Sequence, residues 1–440
     1  MAAGSALLLF GAMLALMALR LPVWVAMFVP GAAGYIVLSG ADAWLAYLKG
    51  MAFARFSIYD LSVIPLFLLM GQLATQGGLS SALFRAAASF VGHWRGGLAQ
   101  AAVLASAAFG SVCGSSVATA ATIAQAALPE MRRYRYDGGF AVASLAAGGT
   151  LGILIPPSVV LVLYAIVTEQ NIARLFAAAL LPGVLAAALY CVAIALLMRR
   201  KPELGPAEPR VPWPQRRATL GGVLPVLVIF LIVLGGIYGG VFTATEGAAI
   251  GVALTGLVGL LRQQLTAGGL RTALLATAET SGVIFMIFLG ADMLNGALAL
   301  TQFPAHAAGA IGALGWPPLL VLALVLLFYI VLGGVMDELS MLLLTIPVVF
   351  PAIMGLELWG LAGQEKAIWF GILVLMTVGI GLIAPPVGLN VYVVNKLARD
   401  VPMSETYKGV FPFLAWDALR VALLLLFPVL SLGLVRWLFA

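Results

Sequence analysis

Apolar stretches of about 17 to 25 residues recur along the whole chain, and each is long enough to cross the hydrocarbon core of a membrane. Hydrophobic residues make up 63% of the 440 residues and charged residues only 9%, whereas soluble domains carry roughly a quarter charged residues. A soluble fold of this length could not bury so much apolar surface. The sequence therefore predicts an all-α, polytopic membrane protein.

The first apolar segment, residues 4–19, is predicted to be a membrane span, because no small-residue cleavage site of a signal peptide follows it. The formal net charge of +6 comes from short basic clusters between spans. The positive-inside rule explains such clusters better than nucleic-acid binding does, so no nucleic-acid partner is expected. The two cysteines lie far apart in apolar segments, and neither a disulfide nor a metal cluster is expected.

Two proline pairs, Pro156-Pro157 and Pro385-Pro386, stand inside apolar segments that are each long enough to be one helix. A proline pair removes amide donors and clashes with the preceding turn, so both helices are predicted to break there. The preceding residues also match, since Gly-Ile-Leu-Ile at 152–155 parallels Gly-Leu-Ile-Ala at 381–384. Unwound carbonyls at membrane depth suit a small cation, and the breaks are therefore candidate ion sites.

A polar hairpin is predicted ahead of each break. Residues 96–130 are apolar, rich in glycine and serine and flanked by arginines, so both ends are expected in the cytoplasm and the segment is expected to be re-entrant. Residues 315–356 occupy the corresponding place in the second half. Each half then contains five crossings and one hairpin, and this odd number of crossings predicts that the second half is inverted relative to the first.

The two hairpin tips carry oxygen donors of the kind that hard cations prefer. Ser111, Ser115 and Ser116 lie at the first tip, and Asp337 lies at the second, with Glu338 beside it. Two structural alternatives stay open, because small residues also allow close helix packing and an aspartate can cap the helix that follows it. Glu246 is assigned a structural role, since Thr-Ala-Thr-Glu at 243–246 has the form of a capping box.

Four segments together resemble the large membrane subunit of tripartite ATP-independent periplasmic (TRAP) transporters. They are Gly-Ser-Val-Cys-Gly-Ser-Ser at 110–116, Gly-Thr-Leu-Gly-Ile-Leu-Ile-Pro-Pro-Ser at 149–158, Gly-Val-Met-Asp at 334–337 and Gly-Leu-Ile-Ala-Pro-Pro-Val-Gly-Leu-Asn at 381–390. The resemblance covers nearly the whole chain. It departs at Arg135, where the family pattern has glycine, and at Glu338, which adds a second carboxylate beside Asp337.

The resemblance implies an ion-transporter-superfamily fold of the elevator type, with two re-entrant helical hairpins and two broken helices in an inverted repeat. The expected first repeat, 1–198, has scaffold helices at 1–57 and 172–198 and transport-domain elements at 61–168. A basic linker at 199–219 is expected in the cytoplasm. The expected second repeat, 220–440, has scaffold helices at 220–261 and 411–437 and transport-domain elements at 272–398. Both termini are predicted to be periplasmic.

The resemblance also implies a set of site residues. Sodium site 1 would use the first hairpin tip and first break, namely Gly110, Ser111, Gly114, Ser115, Ser116, Gly149, Thr150, Gly152, Pro156 and Pro157. Sodium site 2 would use the second tip and second break, namely Gly333, Gly334, Asp337, Gly379, Gly381, Pro385 and Pro386. The substrate would contact Ser116, Ser158, Gly388 and Asn390.

The implied function is Na+-coupled uptake of a small carboxylate across the bacterial inner membrane. The implied partners are a small four-helix membrane subunit, a periplasmic substrate-binding protein and membrane lipids. Na+ is the expected coupling ion and no cofactor is expected, because the sequence has no nucleotide-binding Gly-x-x-x-x-Gly-Lys-Ser/Thr loop. Two alternatives stay open: a stand-alone sodium/anion symporter of the same superfamily, and an intramembrane enzyme.

Overall fold

The computed structural model describes residues 2–303, 305, 306, 309 and 315–439. Within these residues the regular structure is helical, apart from one isolated bridge between Leu358 and Leu361. This confirms the predicted all-α fold. Residues 304, 307, 308 and 310–314 belong to the predicted second transport-domain segment but lie outside the described residues, as do both terminal residues.

The first half of the chain forms ten α-helices among the described residues. They are α1 (Ala2–Ala18), α2 (Val23–Ser39), α3 (Ala41–Phe56), α4 (Val63–Gln76), α5 (Leu79–Val91), α6 (Gly97–Cys113), α7 (Ser116–Arg133), α8 (Gly138–Leu154), α9 (Val159–Thr168) and α10 (Ile172–Arg200). The chain bends by 62° between α3 and the α4 segment, so α3 is an element separate from the span that follows. Helix α5 was not anticipated as a separate element.

The second half follows the same order with two differences from prediction. Its described helices are α11 (Trp213–Tyr238), α12 (Ala244–Leu261), α13 (Ala267–Leu300), α14 (Pro318–Gly333), α15 (Glu338–Met354), α16 (Gly363–Gly381), α17 (Leu389–Leu397), α18 (Met403–Leu426) and α19 (Val429–Leu438). The predicted boundary at 272 falls inside the continuous helix α13. The single helix predicted at 411–437 is two helices, because Pro428 ends α18 by removing an amide donor.

Six of the described helices are long and apolar enough to cross a membrane, and the bent pairs α3–α4 and α8–α9 raise the number to eight. Helices α1 and α2 are apolar and have 17 residues each, the lower end of the length that crosses a membrane. The capping box predicted at the start of α12 is present, since Glu246 accepts from the Thr243 amide at 2.8 Å and donates its own amide to Thr243 Oγ1 at 3.2 Å. This confirms the structural role assigned to Glu246.

Both predicted hairpins are present, each as two short helices joined by a turn. Hairpin 1 consists of α6 and α7, which are separated only by Gly114 and Ser115; Gly114 has a φ of 65°, a left-handed conformation that favours glycine. Hairpin 2 consists of α14 and α15, separated by residues 334–337. Both breaks are also present, as break 1 (residues 155–158) and break 2 (residues 382–388). The first broken helix bends by 43°.

The broken helices occupy the centre of the molecule. Every residue of α8 after Gly138 is buried, and so is every residue of α16 from Lys366 onward. Helices α10 and α18 pack against α8 and α16, and α10 also contacts hairpin 1. On the other side, α2 packs against α13, and α4 packs against α12 and α13. The packing therefore groups α10 and α18 with the broken helices.

Helix α3 is fixed to α13 by a charged contact. Arg55 Nε donates to Asp292 Oδ2 at 2.6 Å, and the guanidinium lies 5.4 Å from the centroid of the Phe288 ring. Tyr47 adds a hydrogen bond from its hydroxyl to the Asp292 carbonyl at 3.2 Å. This cluster joins the two halves of the chain, since α3 and α13 belong to different repeats.

The linker between the repeats is bound to the base of hairpin 1. The amide of Gly96 donates to Gly205 at 2.7 Å and that of Asp137 donates to Leu204 at 3.0 Å. Glu208 continues the contact through its amide, 2.9 Å from the Gly92 carbonyl oxygen, and burial raises the pKa of its carboxyl. The linker is therefore held by hydrogen bonds to the turns that precede and follow hairpin 1.

Arg135, which stands where the family pattern has glycine, lies in the turn between α7 and α8. Its φ of 56° is in the left-handed region. That conformation costs an ordinary side chain about 1 to 2 kcal/mol, and glycine adopts it freely. The structure thus gives a physical reason for the glycine in the family pattern.

Candidate functional site

The tip of hairpin 1 lies directly against break 1. A Cβ built on Gly110 would lie 2.7 Å from the Cα of Gly152, and one built on Gly152 would lie 2.6 Å from the Ser115 carbonyl oxygen. The amide of Val159 donates to the Gly114 carbonyl at 3.3 Å. These distances leave no room for side chains, so the glycines bring the backbone of the tip and the backbone of the break together.

The serine hydroxyls at this contact have local partners. Ser115 begins α7 as its N-cap and accepts from the Ala118 amide at 3.4 Å, while Ser111 donates to the Ala108 carbonyl at 2.7 Å. Ser158 caps α9 by accepting from the Leu161 amide at 3.4 Å. Capping and ion binding are compatible, because a hydroxyl oxygen that accepts one bond retains a second lone pair.

Two threonines near break 1 have roles that the sequence did not indicate. The Thr150 hydroxyl does not face hairpin 1: it donates to the Ala147 carbonyl at 2.7 Å and lies 3.2 Å from the Tyr190 hydroxyl on α10. The Thr119 hydroxyl of α7 is buried and makes no hydrogen bond of good geometry with the described residues, and a Cβ on Gly152 would collide with it. Thr119 follows Ser115 by four residues, so helical spacing from the serine run is the signal that could have identified it.

The tip of hairpin 2 lies against break 2 in the same way. A Cβ built on Gly381 would lie 2.6 Å from the Cα of Gly333, and one built on Gly334 would lie 3.3 Å from the Pro385 carbonyl oxygen. Both predicted tip and break pairs are therefore in backbone contact. The Pro156-Pro157 and Pro385-Pro386 peptide bonds are both cis.

Asp337 begins α15 as its N-cap, with Oδ1 accepting from the Ser340 amide at 3.0 Å. The capping alternative is thus correct, and it leaves the second carboxylate oxygen for another contact. Ser340 lies fully buried, and its hydroxyl makes no hydrogen bond with any residue that the structure describes; Glu338 is also buried. The polar groups near the hairpin 2 tip therefore include two carboxylates and this hydroxyl.

Gly379 contacts the other broken helix and not the hairpin 2 tip. A Cβ on Gly379 would have Thr150 Cβ as its nearest neighbour, at 3.8 Å. The two broken helices thus cross where the residues predicted for sodium sites 1 and 2 approach each other. A displacement of either helix would therefore change the positions of the backbone atoms at both breaks.

The two breaks differ in their exposure. Residues 155–158 of break 1 are all buried, whereas Pro385, Pro386 and Val387 of break 2 are exposed, with Val387 44% accessible. The hydroxyl of Tyr407 on α18 lies 2.8 Å from the carbonyl oxygens of both Pro386 and Val387. The second half-site is therefore open to its surroundings and the first is closed.

The residues predicted to contact substrate are only partly brought together. Ser116 Oγ donates to Asn390 Oδ1 at 3.2 Å, and Asn390 Nδ2 donates to the Ala146 carbonyl at 3.3 Å. Asn390 thereby ties hairpin 1 and α8 to the broken helix of the other repeat. Gly388 instead begins α17 in a left-handed conformation, where its Cβ position would be 3.0 Å from the Ala384 carbonyl oxygen.

A cavity of about 270 Å³ lies beside the hairpin 1 tip, between α4, α7 and α13. It is lined by Leu68, Gly71, Gln72, Cys113, Ser115, Val117, Ala118, Ala121 and Thr280. The first turn of α7 faces it, and the partial positive charge of a helix N-terminus favours an anion there. Gln72 and Thr280 were not singled out in the sequence, because Gln72 stands among apolar neighbours and Thr280 is one of several polar residues in its stretch of α13.

The chain was compared with known proteins. Residues 10–430 match the family model described as the DctM component of the tripartite ATP-independent periplasmic transporter. The chain belongs to this family. The DctM family match therefore confirms the resemblance drawn from the hairpin and break motifs.

Curated members of the DctM family match over most of their length. The C4-dicarboxylate TRAP transporter large permease protein DctM of Pseudomonas aeruginosa is 33% identical over 381 residues, covering 86% of this chain and 87% of that protein. The sialic acid permease SiaM of Vibrio cholerae is 28% identical, with 85% and 86% covered. The ectoine permease TeaC of Halomonas elongata is 27% identical, with 96% and 97% covered.

The fold has a solved counterpart. The crystal structure of the Alcanivorax borkumensis YdaH transporter matches with a TM-score of 0.60 and 16% identity, covering 99% of this chain and 98% of that one. At this identity the match concerns the fold alone. The chain is thus a DctM-family large permease of TRAP type, a multi-pass protein of the inner membrane, and its relatives are named as transport proteins.

Proposed function

We propose that this protein couples the inward movement of Na+ to the uptake of a small organic acid. The observation that carries the proposal is the repeated backbone contact between a hairpin tip and a helix break, at Gly110 with Gly152 and at Gly333 with Gly381. Each contact gathers carbonyl and hydroxyl oxygens at a broken helix, which is an arrangement suited to a hard monovalent cation.

The substrate is proposed to bind in the cavity beside the hairpin 1 tip. The lining residues include Gln72, Ser115 and Thr280 but no lysine or arginine. A carboxylate there would be held by hydroxyl and amide groups and by the N-terminus of α7. The relatives are named for C4-dicarboxylates, sialic acid and ectoine, so kinship does not select one acid.

The moving unit is proposed to be larger than the sequence suggested. Residues 172–198 and 411–437 were assigned to the scaffold, yet α10 and α18 pack against the broken helices, and α10 also packs against hairpin 1. The packing supports an elevator in which α10 and α18 travel with hairpin 1, hairpin 2, α8 and α16. Helices α1, α2, α12 and α13 would form the stationary part.

The working assembly is proposed to include the small four-helix membrane subunit and the periplasmic binding protein that the TRAP family implies. Arg132, Arg133, Arg199 and Arg200 support a cytoplasmic position for the base of hairpin 1 and the linker. Both termini are then proposed to be periplasmic, because each half contributes an odd number of crossings.

In proteoliposomes that contain both membrane subunits, with binding protein and labelled acid outside, uptake should require an inward Na+ gradient. Na+ binding at oxygen sites is the proposed energy source, so an equal K+ gradient should give only background accumulation. The measurement is radiolabel retained with time at several Na+ concentrations.

Uptake that is indifferent to Na+ would refute the coupling. Equal uptake without the binding protein would favour the stand-alone symporter instead. Chemical conversion of the acid by the purified chain in detergent, without any gradient, would favour the intramembrane enzyme.

A further inference from the structure

A buried ion pair lies on α18, which packs against α8 of the first broken helix. Asp417 and Arg420 of α18 are each 1% exposed, and Arg420 Nη2 lies 2.9 Å from Asp417 Oδ1. Neither residue was predicted to be functional, because an acidic and a basic residue three apart on a helix usually form a solvated pair. Charges inside membrane helices are costly, so functional duty is their default interpretation.

The pair is connected to break 1 by two hydroxyl groups. The Tyr190 hydroxyl on α10 donates to Asp417 Oδ2 at 2.8 Å. Its oxygen therefore acts as acceptor in the 3.2 Å contact with Thr150 Oγ1 on α8, whose hydrogen is shared with the Ala147 carbonyl oxygen 2.7 Å away. The Arg420 guanidinium lies 5.9 Å from the centroid of the Tyr190 ring. Arg420, Asp417, Tyr190 and Thr150 thus form a chain of polar contacts across three helices, all of them buried.

The arrangement is more polar than the fold requires. The three guanidinium nitrogens of Arg420 are buried and none makes a hydrogen bond of good geometry with the described residues. An arginine that served only to stabilise packing would be better replaced by an apolar side chain, since buried pairs rarely repay their desolvation. The chain of contacts ends at Thr150, two residues before Gly152, which abuts the Ser115 carbonyl.

We infer that Tyr190, held by the Asp417–Arg420 pair, is a positioning residue that fixes α8 through Thr150 and thereby sets the Na+ affinity of the hairpin 1 half-site. Thr150 acts through its contact with Tyr190 and not as a side-chain ligand. This inference rests on the proposed Na+ coupling. It assigns a role to four residues, of which only Thr150 was predicted to belong to a site.

The test is the Na+ dependence of uptake by Tyr190→Phe in proteoliposomes with both membrane subunits and the binding protein. This variant keeps the ring beside Arg420 and removes only the hydroxyl. We expect the half-saturating Na+ concentration to rise about fivefold, the effect of one net hydrogen bond, while the maximal rate at saturating Na+ stays close to that of the wild type.

Tyr164→Phe is the matched control. Tyr164 is equally buried, lies on α9 of the broken helix that Tyr190 contacts, and donates to the Ala367 carbonyl at 2.7 Å. Its loss should leave the Na+ dependence unchanged. Thr150→Val should reproduce the shift of Tyr190→Phe, and the double variant should show no further shift, because both changes interrupt the same contact.

Several outcomes would overturn the inference. If wild-type uptake requires Na+ but Tyr190→Phe has the same half-saturating Na+ concentration, the positioning role is refuted and the proposed function stands. Equal shifts in Tyr190→Phe and Tyr164→Phe would show a general packing effect. Na+-independent uptake by the wild type would overturn both proposals. If Tyr190→Phe proves unstable in detergent, Thr150→Val alone decides, because it changes the other end of the contact.

Discussion

Asp337→Asn should raise the half-saturating Na+ concentration at least tenfold, equivalent to about 1.4 kcal/mol, while leaving thermal unfolding nearly unchanged. Asparagine is as good an N-cap as aspartate, so the hydrogen bond from the Ser340 amide, now 3.0 Å long, should survive. What the variant removes is the negative charge at the hairpin 2 tip. The measurement combines Na+-dependent uptake in proteoliposomes with unfolding in detergent.

Asp137→Asn provides the matched control for this variant. Asp137 is also an N-cap, accepting from the Phe140 amide at 2.8 Å, but it stands at the base of hairpin 1, away from both tips. Its replacement should change neither Na+ dependence nor stability. Asp337→Ala should lower both Na+ affinity and stability, because it removes the cap as well as the charge. An unchanged Na+ dependence in Asp337→Asn would show that Asp337 only caps α15.

Gly381→Ala should nearly abolish Na+-driven uptake. The added methyl group would lie 2.6 Å from the Cα and 2.7 Å from the carbonyl carbon of Gly333, and neither backbone atom can rotate away. Overpacking of this kind costs about 1 to 3 kcal/mol, so separating the hairpin 2 tip from break 2 should weaken Na+ binding by up to roughly a hundredfold. Uptake rate and Na+ protection against thermal unfolding would both report the loss.

Gly282→Ala is the control, because a Cβ on Gly282 meets nothing within 4 Å and alanine is the better helix former. Its uptake should match that of the wild type. Gly379→Ala should fall between the two variants, since its new methyl group would make an ordinary 3.8 Å contact with Thr150. Wild-type Na+ dependence in Gly381→Ala would exclude a close tip and break contact as part of the site.

The sequence predicted those elements whose causes are local. Proline pairs break helices wherever they occur, so Pro156-Pro157 and Pro385-Pro386 located both broken spans. Glycine and serine runs between helices located both hairpins. Thr243 and Glu246 satisfied each other within one turn, and the capping box followed from spacing alone.

The parts that were missed depend on residues far apart in the chain. Tyr190 and Asp417 are separated by 227 positions, and only tertiary packing brings them within 2.8 Å. The packing of α10 against the broken helices was not predictable for the same reason, because hydropathy identifies a span but not its neighbours. The continuity of α13 past residue 272 was missed because an amphipathic stretch and an apolar stretch can belong to one helix.

Cys113 is the last residue of α6 and lines the cavity beside the hairpin 1 tip. The residue is only 4% exposed. Cys191, the second of two cysteines in the sequence, lies on α10 outside that cavity. A membrane-permeant maleimide should therefore react slowly with the Cys113 thiol in this conformation. It should react faster in any conformation in which hairpin 1 has moved away from α4. The rate at which Cys113 is alkylated would then report how often the hairpin opens. It can be measured by mass spectrometry on the wild-type protein, with and without Na+.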